Sequence, residues 1–473
     1  MDTLNDFLGS VAAVVWGPFI LIPLLLGTGL YLTCRLGFLQ FRTLGRSLRK
    51  AFIDGGEGED VEGDITNYQA LTTALAATVG VGNIVGVATA ISIGGPGSLL
   101  WVWVTGLVGM ASKYTEAFLG VRFRTTDHNG EQAGGPQEYL RRGIKGPTGK
   151  ILGFLFTLFA IIASFGIGNT TQGNAVAQGM QDTFGLDPVA TGALLFVGIG
   201  AVLLGGIQSI GKITSAFVPM MIIVYVVGGI VVLLLNITSL PAAFELIFTD
   251  AFTGTAATGG FVGSAFLVVI QMGVARGIFS NESGMGSAAI AAAAAKTTHP
   301  VRQGLVSMTQ TFIDTIIVVS ITGLCIVTTG VWDRGEENAA TMTADAFSTA
   351  LPGHWGGTIV SLSVVFFAFS TILGWAYYGE RCVVALLGWK FSLPYRLFFT
   401  CVVFVGATTE LTLVWTFADL ANALMALPNL IGLLLLSGLV AKETKEYLEF
   451  DPKLTADADA VRRHLEATGS DWR

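Results

Sequence analysis

Ala76-Ala77-Thr78-Val79-Gly80-Val81-Gly82-Asn83-Ile84-Val85-Gly86 lies inside an apolar block long enough to cross a bilayer. Arg276-Gly277-Ile278-Phe279-Ser280-Asn281-Glu282-Ser283-Gly284-Met285-Gly286 lies inside another. A plain anchor helix avoids both strings. Each interior glycine costs about 1 kcal/mol against alanine, and Asn, Ser and Glu at mid-membrane add to that cost. Unwound backbone at such depth is tolerated only where it lines a cavity in the protein. There it offers free carbonyls to a cation and free N–H groups to a carboxylate. The plainer alternative is that the glycines permit close helix crossings. Two breaks, each in the first helix of a block of five spans, weaken that alternative.

Outward from these strings, apolar blocks occupy about 11–33, 68–93, 97–121, 151–178, 188–208, 214–236, 264–295, 303–331, 357–386, 395–411 and 414–440. Of the 473 residues 52% are hydrophobic and only 12% charged, about half the charge of a soluble chain. The polar surface is too small for a water-soluble particle, so the expected class is an all-α polytopic membrane protein. Its first block lacks a basic leader and a small-residue cleavage site, and is expected to stay as a span. Lys and Arg set the sidedness. Arg35, Arg42, Arg46, Arg49, Lys50, Arg122, Arg124, Arg141, Arg142, Lys145, Lys150, Lys212, Lys296, Arg302, Arg381, Lys390, Arg396, Lys442 and Lys445 fall in or beside alternate loops. Asp182, Asp187, Glu245, Asp250, Asp333, Glu336, Glu337 and Asp345 fill the others, with Arg334 their one basic residue. The N-terminus is therefore expected outside and the C-terminus in the cytoplasm, in the plasma (inner) membrane. Phe38, Phe41, Leu44, Leu48 and Phe52 recur every three or four residues among Arg and Lys, the pattern of a helix lying on the membrane surface.

Spans two to six and seven to eleven form two blocks of five. Five is odd, so the second enters the membrane from the opposite side, the plan of an inverted repeat. The expected divisions are 1–34, an extra N-terminal transmembrane helix; 35–67, an interfacial helix and acidic loop; and 68–236, the first repeat. They continue with 237–263, an extracellular connection; 264–440, the second repeat; and 441–473, a cytoplasmic tail. A nucleotide-binding G-x-x-x-x-G-K-[ST] loop is absent from the sequence, which argues against an ATP-driven pump. His128, His299, His354 and His464 are scattered, and Cys34, Cys325, Cys382 and Cys401 form no CxxC pair. No enzyme chemistry, organic cofactor or nucleic-acid partner is expected.

More specific are the strings Gly94-Gly95-Pro96-Gly97-Ser98-Leu99-Leu100-Trp101-Val102-Trp103-Val104, Gly205-Gly206-Ile207 through Lys212, and Gly273 through Gly286. Lys296-Thr297-Thr298-His299-Pro300-Val301-Arg302-Gln303-Gly304 and Leu373-Gly374-Trp375 with Tyr377-Tyr378-Gly379-Glu380-Arg381 complete the set. Together they resemble the signatures of the alanine/glycine:cation symporters, the sodium:alanine symporter family, over residues 10–440. Ala292, Met285 and Val102 depart from the commoner family residues without removing a presumed ligand.

The resemblance implies a LeuT-type 5+5 inverted repeat of ten helices behind one extra N-terminal transmembrane helix. It implies a substrate site for alanine or glycine made by Ala77, Gly80, Gly82 and Asn83, faced by Phe279, Ser280 and Asn281. Gln172 would offer an amide, and Thr371 and Trp375 would close the pocket around a small side chain. Sodium, the co-transported ion, would take the carbonyls of Ala76 and Val79 with the hydroxyls of Ser370 and Thr371. Asn83 matches an amide that meets a second sodium in related transporters. The bland alternative for Ser370 and Thr371 is bonding back to their own helix. Arg276, Glu282, Asp314 and Asp419 are charges inside spans, open to a structural or a pathway role; Arg276 and Glu282 would pair in the structural one. Proton coupling is the nearest rival, and a non-transporting amino acid sensor the rival of a different class.

Overall fold

The structure, a computed structural model, describes residues 9–11, 14–17, 19–54, 61–253, 262–334, 339–409 and 411–468. Glu336 and Glu337, residues 55–60 of the acidic loop and residues 254–261 of the 237–263 connection lie outside them. The chain is almost entirely helical. In order come α1 (Leu21–Arg35), α2 (Leu39–Phe52), α3 (Asn67–Thr78), α4 (Val85–Gly94) and α5 (Ser98–Arg122). A two-stranded hairpin (β1 Thr125–Thr126, β2 Gln132–Ala133) precedes α6 (Pro136–Gly143), α7 (Pro147–Phe165), α8 (Thr171–Phe184), α9 (Pro188–Leu203) and α10 (Gly206–Leu235). The second half holds α11 (Leu240–Thr253), α12 (Val262–Asn281), α13 (Ser287–Ala293), α14 (Pro300–Thr311) and α15 (Ser320–Thr329). It closes with α16 (Met342–Ala350), α17 (Trp355–Leu387), α18 (Ser392–Ala407), α19 (Leu411–Phe450) and α20 (Ala458–Thr468).

Every predicted apolar block is helical over most of its length, but fewer than eleven qualify as full spans. Among the described residues six helices are long and apolar enough to cross a membrane, or up to eight if each of two bent pairs is one span. The shortfall has local causes. The second and seventh blocks are each split in two, α9 has only 16 residues, and Lys113 and Glu116 dilute α5. Large apolar side chains such as Ile223, Val224, Val227, Leu397, Phe398 and Leu435 face outward, while Asn, Gln, Thr, Glu and Lys lie inside. That inversion is what a lipid solvent selects. The polytopic class is as expected.

The two predicted breaks are present. Thr66 starts α3 with a reciprocal capping box to Gln69. After Thr78 the backbone leaves the helix: Val79 has φ −76°, ψ 86°, Gly80 is extended, and one tight turn (Val81–Asn83) leads into α4 at a 62° bend. In the second break Glu282, Gly284 and Gly286 take the left-handed region at φ 54°, 90° and 83° before α13 begins. Two further irregularities have no counterpart in the sequence pattern. Residues Gly166–Thr170 between α7 and α8, and Phe312–Val319 between α14 and α15, are wider π-type turns, a form that recurs at functional sites.

One packing group joins α3, α4 and α5 to α12, α13 and α14, and a second joins α7, α8 and α9 to α17, α18 and α19. Helices α10 and α17 also pack on α3, so the first break lies on the seam between the groups. The loops that the charge pattern assigned to one side meet one another. Arg381 bonds Asp127 and Glu131, Arg122 bonds Glu443, and Arg302 bonds Asp451. Helix α2 turns 81° from α1. It buries Leu39, Gln40, Thr43, Ser47 and Ala51 while leaving Phe38, Phe41 and Phe52 about half exposed (51%, 55% and 47%). A helix with its phenyl rings outward and its short polar side chains inward suits the headgroup layer.

Candidate functional site

At the first break four oxygens converge. Thr371 Oγ1 donates to the Ala76 carbonyl at 3.0 Å and lies 3.5 Å from the Val79 carbonyl; Ser370 Oγ lies 3.4 Å from Ala76 O. Ser370 also bonds back to Phe367 O at 2.9 Å, so the bland alternative describes part of its bonding but not Thr371's. The four residues expected to hold sodium are thus brought together, fully buried. The unwound N–H groups are taken up by amides: Gly80 N donates to Asn83 Oδ1 at 2.9 Å and Val81 N to Gln172 Oε1 at 3.1 Å. Gln172 Nε2 in turn donates to Ile167 O of the π-type turn, so this amide ties the break to that turn.

The two breaks touch. A methyl group on Gly82 would sit 3.0 Å from the Phe279 ring and 3.3 Å from Ser280 Cα, and one on Gly80 would sit 2.5 Å from Thr371 Oγ1. A side chain at Gly80 would displace Thr371, and one at Gly82 would press on the Phe279 ring. Phe279 stacks on Trp415 at 4.9 Å, and Arg276 covers both rings while binding Asp419 through two bonds of 3.1 and 2.9 Å. Arg276 therefore does not pair with Glu282 around the break. Asn281 turns toward α5 and the eighth block, donating to Thr105 and Thr315 and accepting from Ser283 N; it fixes the break's shape. Ser280 donates to Asp314 Oδ2 at 2.9 Å, and Asn83 Nδ2 donates to Asp314 Oδ1 at 2.6 Å.

Glu282 belongs to a charged cluster that includes two residues not singled out from the sequence. Lys113 Nζ donates to the Glu282 carbonyl at 3.1 Å and lies 3.9 Å from Glu116 Oε2, with both side chains fully buried. Glu116 Oε1 accepts from Gly286 N and Asn429 Nδ2, and Asn429 also donates to Gly284 O. Glu282 accepts from Ser287 and from Trp375 Nε1, the latter at 2.7 Å. Trp375 is thereby pinned by its ring nitrogen, one turn along α17 from Thr371. The sequence signal for this cluster is a lysine and a glutamate three residues apart within an apolar block, a pairing that intramembrane charges adopt by default.

On the side of the basic loops the base of α3 is strapped to the end of α13. Lys296 N donates to Ile65 O at 2.7 Å, and Asp64 N and Ile65 N donate to Ala294 O. Arg124 adds bonds to Ala293 O, Ala295 O and Glu62 O. Arg276 and Asp419 pair beside the second break through two hydrogen bonds.

The model of the sodium:alanine symporter family matches residues 1–460. The sodium/alanine symporter AgcS of Methanococcus maripaludis is 51% identical over 453 residues, covering 95% of this chain and 97% of that protein. An uncharacterized transporter of Haemophilus influenzae is 49% identical over 94% of this chain and 97% of its own length. At greater distance, the probable sodium/glutamine symporter GlnT of Bacillus subtilis is 34% identical over 94% of this chain and 92% of its own. The chain belongs to the sodium:alanine symporter family.

Proposed function

We propose that this protein is a sodium-coupled secondary symporter that imports alanine, glycine or both by alternating access. The observation that carries the reading is the convergence of the Ala76 and Val79 carbonyls on the Ser370 and Thr371 hydroxyls at the seam between two helix groups. Sodium is a hard cation that prefers oxygen. A site of neutral oxygens can hold it without a carboxylate and release it when the two groups separate. One charge crossing 100 mV gains about 2.3 kcal/mol, enough for more than a tenfold substrate gradient.

In this reading Ala77, Gly80, Gly82 and Asn83 meet Phe279, Ser280 and Asn281 around the substrate, and Gln172 keeps the first break open to it. Thr371 and Trp375 form the wall that restricts the side chain to a hydrogen or a methyl. The close approach of Thr371 to Gly80 and of Phe279 to Gly82 supports a small substrate. So does the name of the archaeal relative at 51% identity. The architecture that fits is a LeuT-type inverted repeat over 68–236 and 264–440, with one extra N-terminal helix, the N-terminus outside and the C-terminus cytoplasmic. The test is uptake of labelled alanine and glycine by proteoliposomes under an inward sodium gradient. Uptake that collapses when choline replaces sodium is expected. Substrate binding with no sodium-driven uptake would overturn symport in favour of a sensor, and uptake driven by a pH gradient alone would replace sodium with protons.

A further inference from the structure

The string Lys296–Gly304 is among the most distinctive in the sequence, yet neither the sodium ligands nor the substrate wall uses it. Its residues face two ways. Toward the first break, Lys296 N donates to Ile65 O and Gln303 accepts from Asn67 at 2.9 Å, so both hold the base of α3. Toward the C-terminus, the buried Arg302 pairs with Asp451 at 2.7 Å and also donates to Tyr447 Oη and the Ala456 carbonyl. Gly304 lets the Tyr114 ring approach, and the Tyr114 hydroxyl meets Thr444 at 2.6 Å. These partners lie on the last turns of α19 and just beyond it.

Helix α19 has 40 residues, about 60 Å at 1.5 Å per residue, roughly twice the thickness of the hydrocarbon. It packs on α7 in the second helix group, while its overrunning end is bonded to the first. The stretch 441–473, expected as a plain tail, therefore turns back on the protein. Beyond Asp451 it forms α20, which is apolar on one face. Val461 is buried, Leu465 packs on Ala117 and Val121 of α5 and Ala292 of α13, and His464 stacks on Phe450 at 4.0 Å. Arg462, Arg463 and Glu466 are exposed on the other face. Ala292 stands just before Ala294, whose carbonyl accepts from Asp64 N and Ile65 N at the base of α3. A helix as short as α20 is marginal in water by itself, so its contact with α5 and α13 is what keeps it folded. The Arg302–Asp451 pair, buried on both sides, is costly to separate.

We propose that α20 is a latch: anchored at Arg302, it closes over the ends of α5 and α13 and holds α13 against the base of α3. The string Lys296–Gly304 is the mount that ties the latch to the first break. This rests on the symporter reading above, in which that side faces the cytoplasm and the latch resists opening of the site toward the cell interior.

The test uses the full chain with its four native cysteines replaced by alanine and Thr73→Cys as a reporter at a buried position of α3. In nanodiscs, the rate of labelling by a water-soluble thiol reagent is followed without sodium. Leu465→Glu should undock α20 and raise that rate severalfold, and Asp451→Asn, which weakens the anchor, should raise it less. A second variant carries Leu465→Cys with Val121→Cys and no reporter. A short cleavable cross-linker between the two should slow sodium-driven alanine uptake by proteoliposomes severalfold, and cleaving it should restore the rate. Should Leu465→Glu fail to fold, the cross-linked pair decides alone. Labelling unchanged in a folded Leu465→Glu, or uptake indifferent to a formed cross-link, would overturn the latch. Absence of sodium-driven uptake before cross-linking, in wild type as well, would defeat the symporter reading, and the labelling rates would still decide whether α20 holds α3 closed.

Discussion

The two helix breaks solve one problem with opposite chemistry. At the first, the freed backbone is met by neutral groups: Thr371 and Ser370 on the carbonyls, Asn83 and Gln172 on the N–H groups. At the second, it is met by charges and by the amide they orient: Lys113 on the Glu282 carbonyl, Glu116 on Gly286 N, and Asn429 on Gly284 O. Neutral partners cost little to exchange for an ion or a substrate and can let go again. Charged, fully buried partners are costly to separate, because each leaves the other unpaired in a medium without water. In the proposed symport reading, that difference suits the first break to reversible binding. The second is a fixed frame, which also holds Trp375 by its indole nitrogen.

The strongest way to break that contrast is to remove the frame's cation. Lys113→Met keeps the volume and leaves Glu116 and Glu282 without their ammonium, which should cost about 3–5 kcal/mol. The check is the apparent melting temperature in detergent and the yield of monodisperse protein. A variant as stable as wild type would mean that the second break is as easily rearranged as the first.

Next in size is the wall that the frame supports. Trp375→Ala opens space for larger side chains at a packing cost of about 3–5 kcal/mol, so binding is compared on folded protein only. Serine and valine should then compete with labelled alanine where wild type excludes valine. If valine stays excluded while alanine binds normally, the side-chain limit lies elsewhere. Trp375→Phe, which keeps most of the bulk and loses the bond to Glu282, should retain the exclusion but weaken alanine binding by loosening the wall.

A smaller effect sharpens the account away from the membrane centre. His299, in the loop before α14, accepts from Val301 N and stacks on Tyr447 at 4.0 Å. Burial first, and then the Arg302 charge, push its imidazole from 6.5 down to about 3. The folded form therefore binds fewer protons than the unfolded form between those values. The contribution to stability is complete above pH 6.5 and is lost as pH falls toward 3. His299→Asn keeps an N-cap acceptor without the titration. Between pH 7 and pH 5 wild type should lose more thermal stability than His299→Asn; parallel losses would contradict the assignment.

The breaks were legible because glycine and polar residues are costly inside an apolar block unless the helix is interrupted there. Ser370 and Thr371 came from the resemblance alone, since nothing in the sequence sets them beside a break some 290 residues away. Asn281 and Gln172 were legible as participants but not in their bonding. A sequence shows that an amide is present, whereas which backbone group it satisfies depends on how the chain turns back on itself. Lys113 and Glu116 went unread because they stand near the end of an apolar block, where a charge usually reaches for the interface. The packing of α12, α13, α14 and α19 around α5 buries them. The π-type turn that aims Asp314 at both breaks leaves no mark in the sequence at all, since its residues, Phe312–Val319, suit an ordinary helix equally well.

The central claim is that the four oxygens at the first break hold the coupled sodium. Ser370→Ala with Thr371→Val removes two of them at nearly constant volume and leaves the Ala76 and Val79 carbonyls in place. Sodium and substrate binding are linked, so weakening one must weaken the other by the same coupling free energy. The measurement is alanine binding to the purified double variant across a sodium titration, with choline holding the ionic strength constant. The account predicts a sodium midpoint shifted to higher concentration, with alanine affinity recovering partly at high sodium. An unshifted midpoint, accompanied by no more than a loss of thermal stability, would contradict it and reduce these hydroxyls to packing.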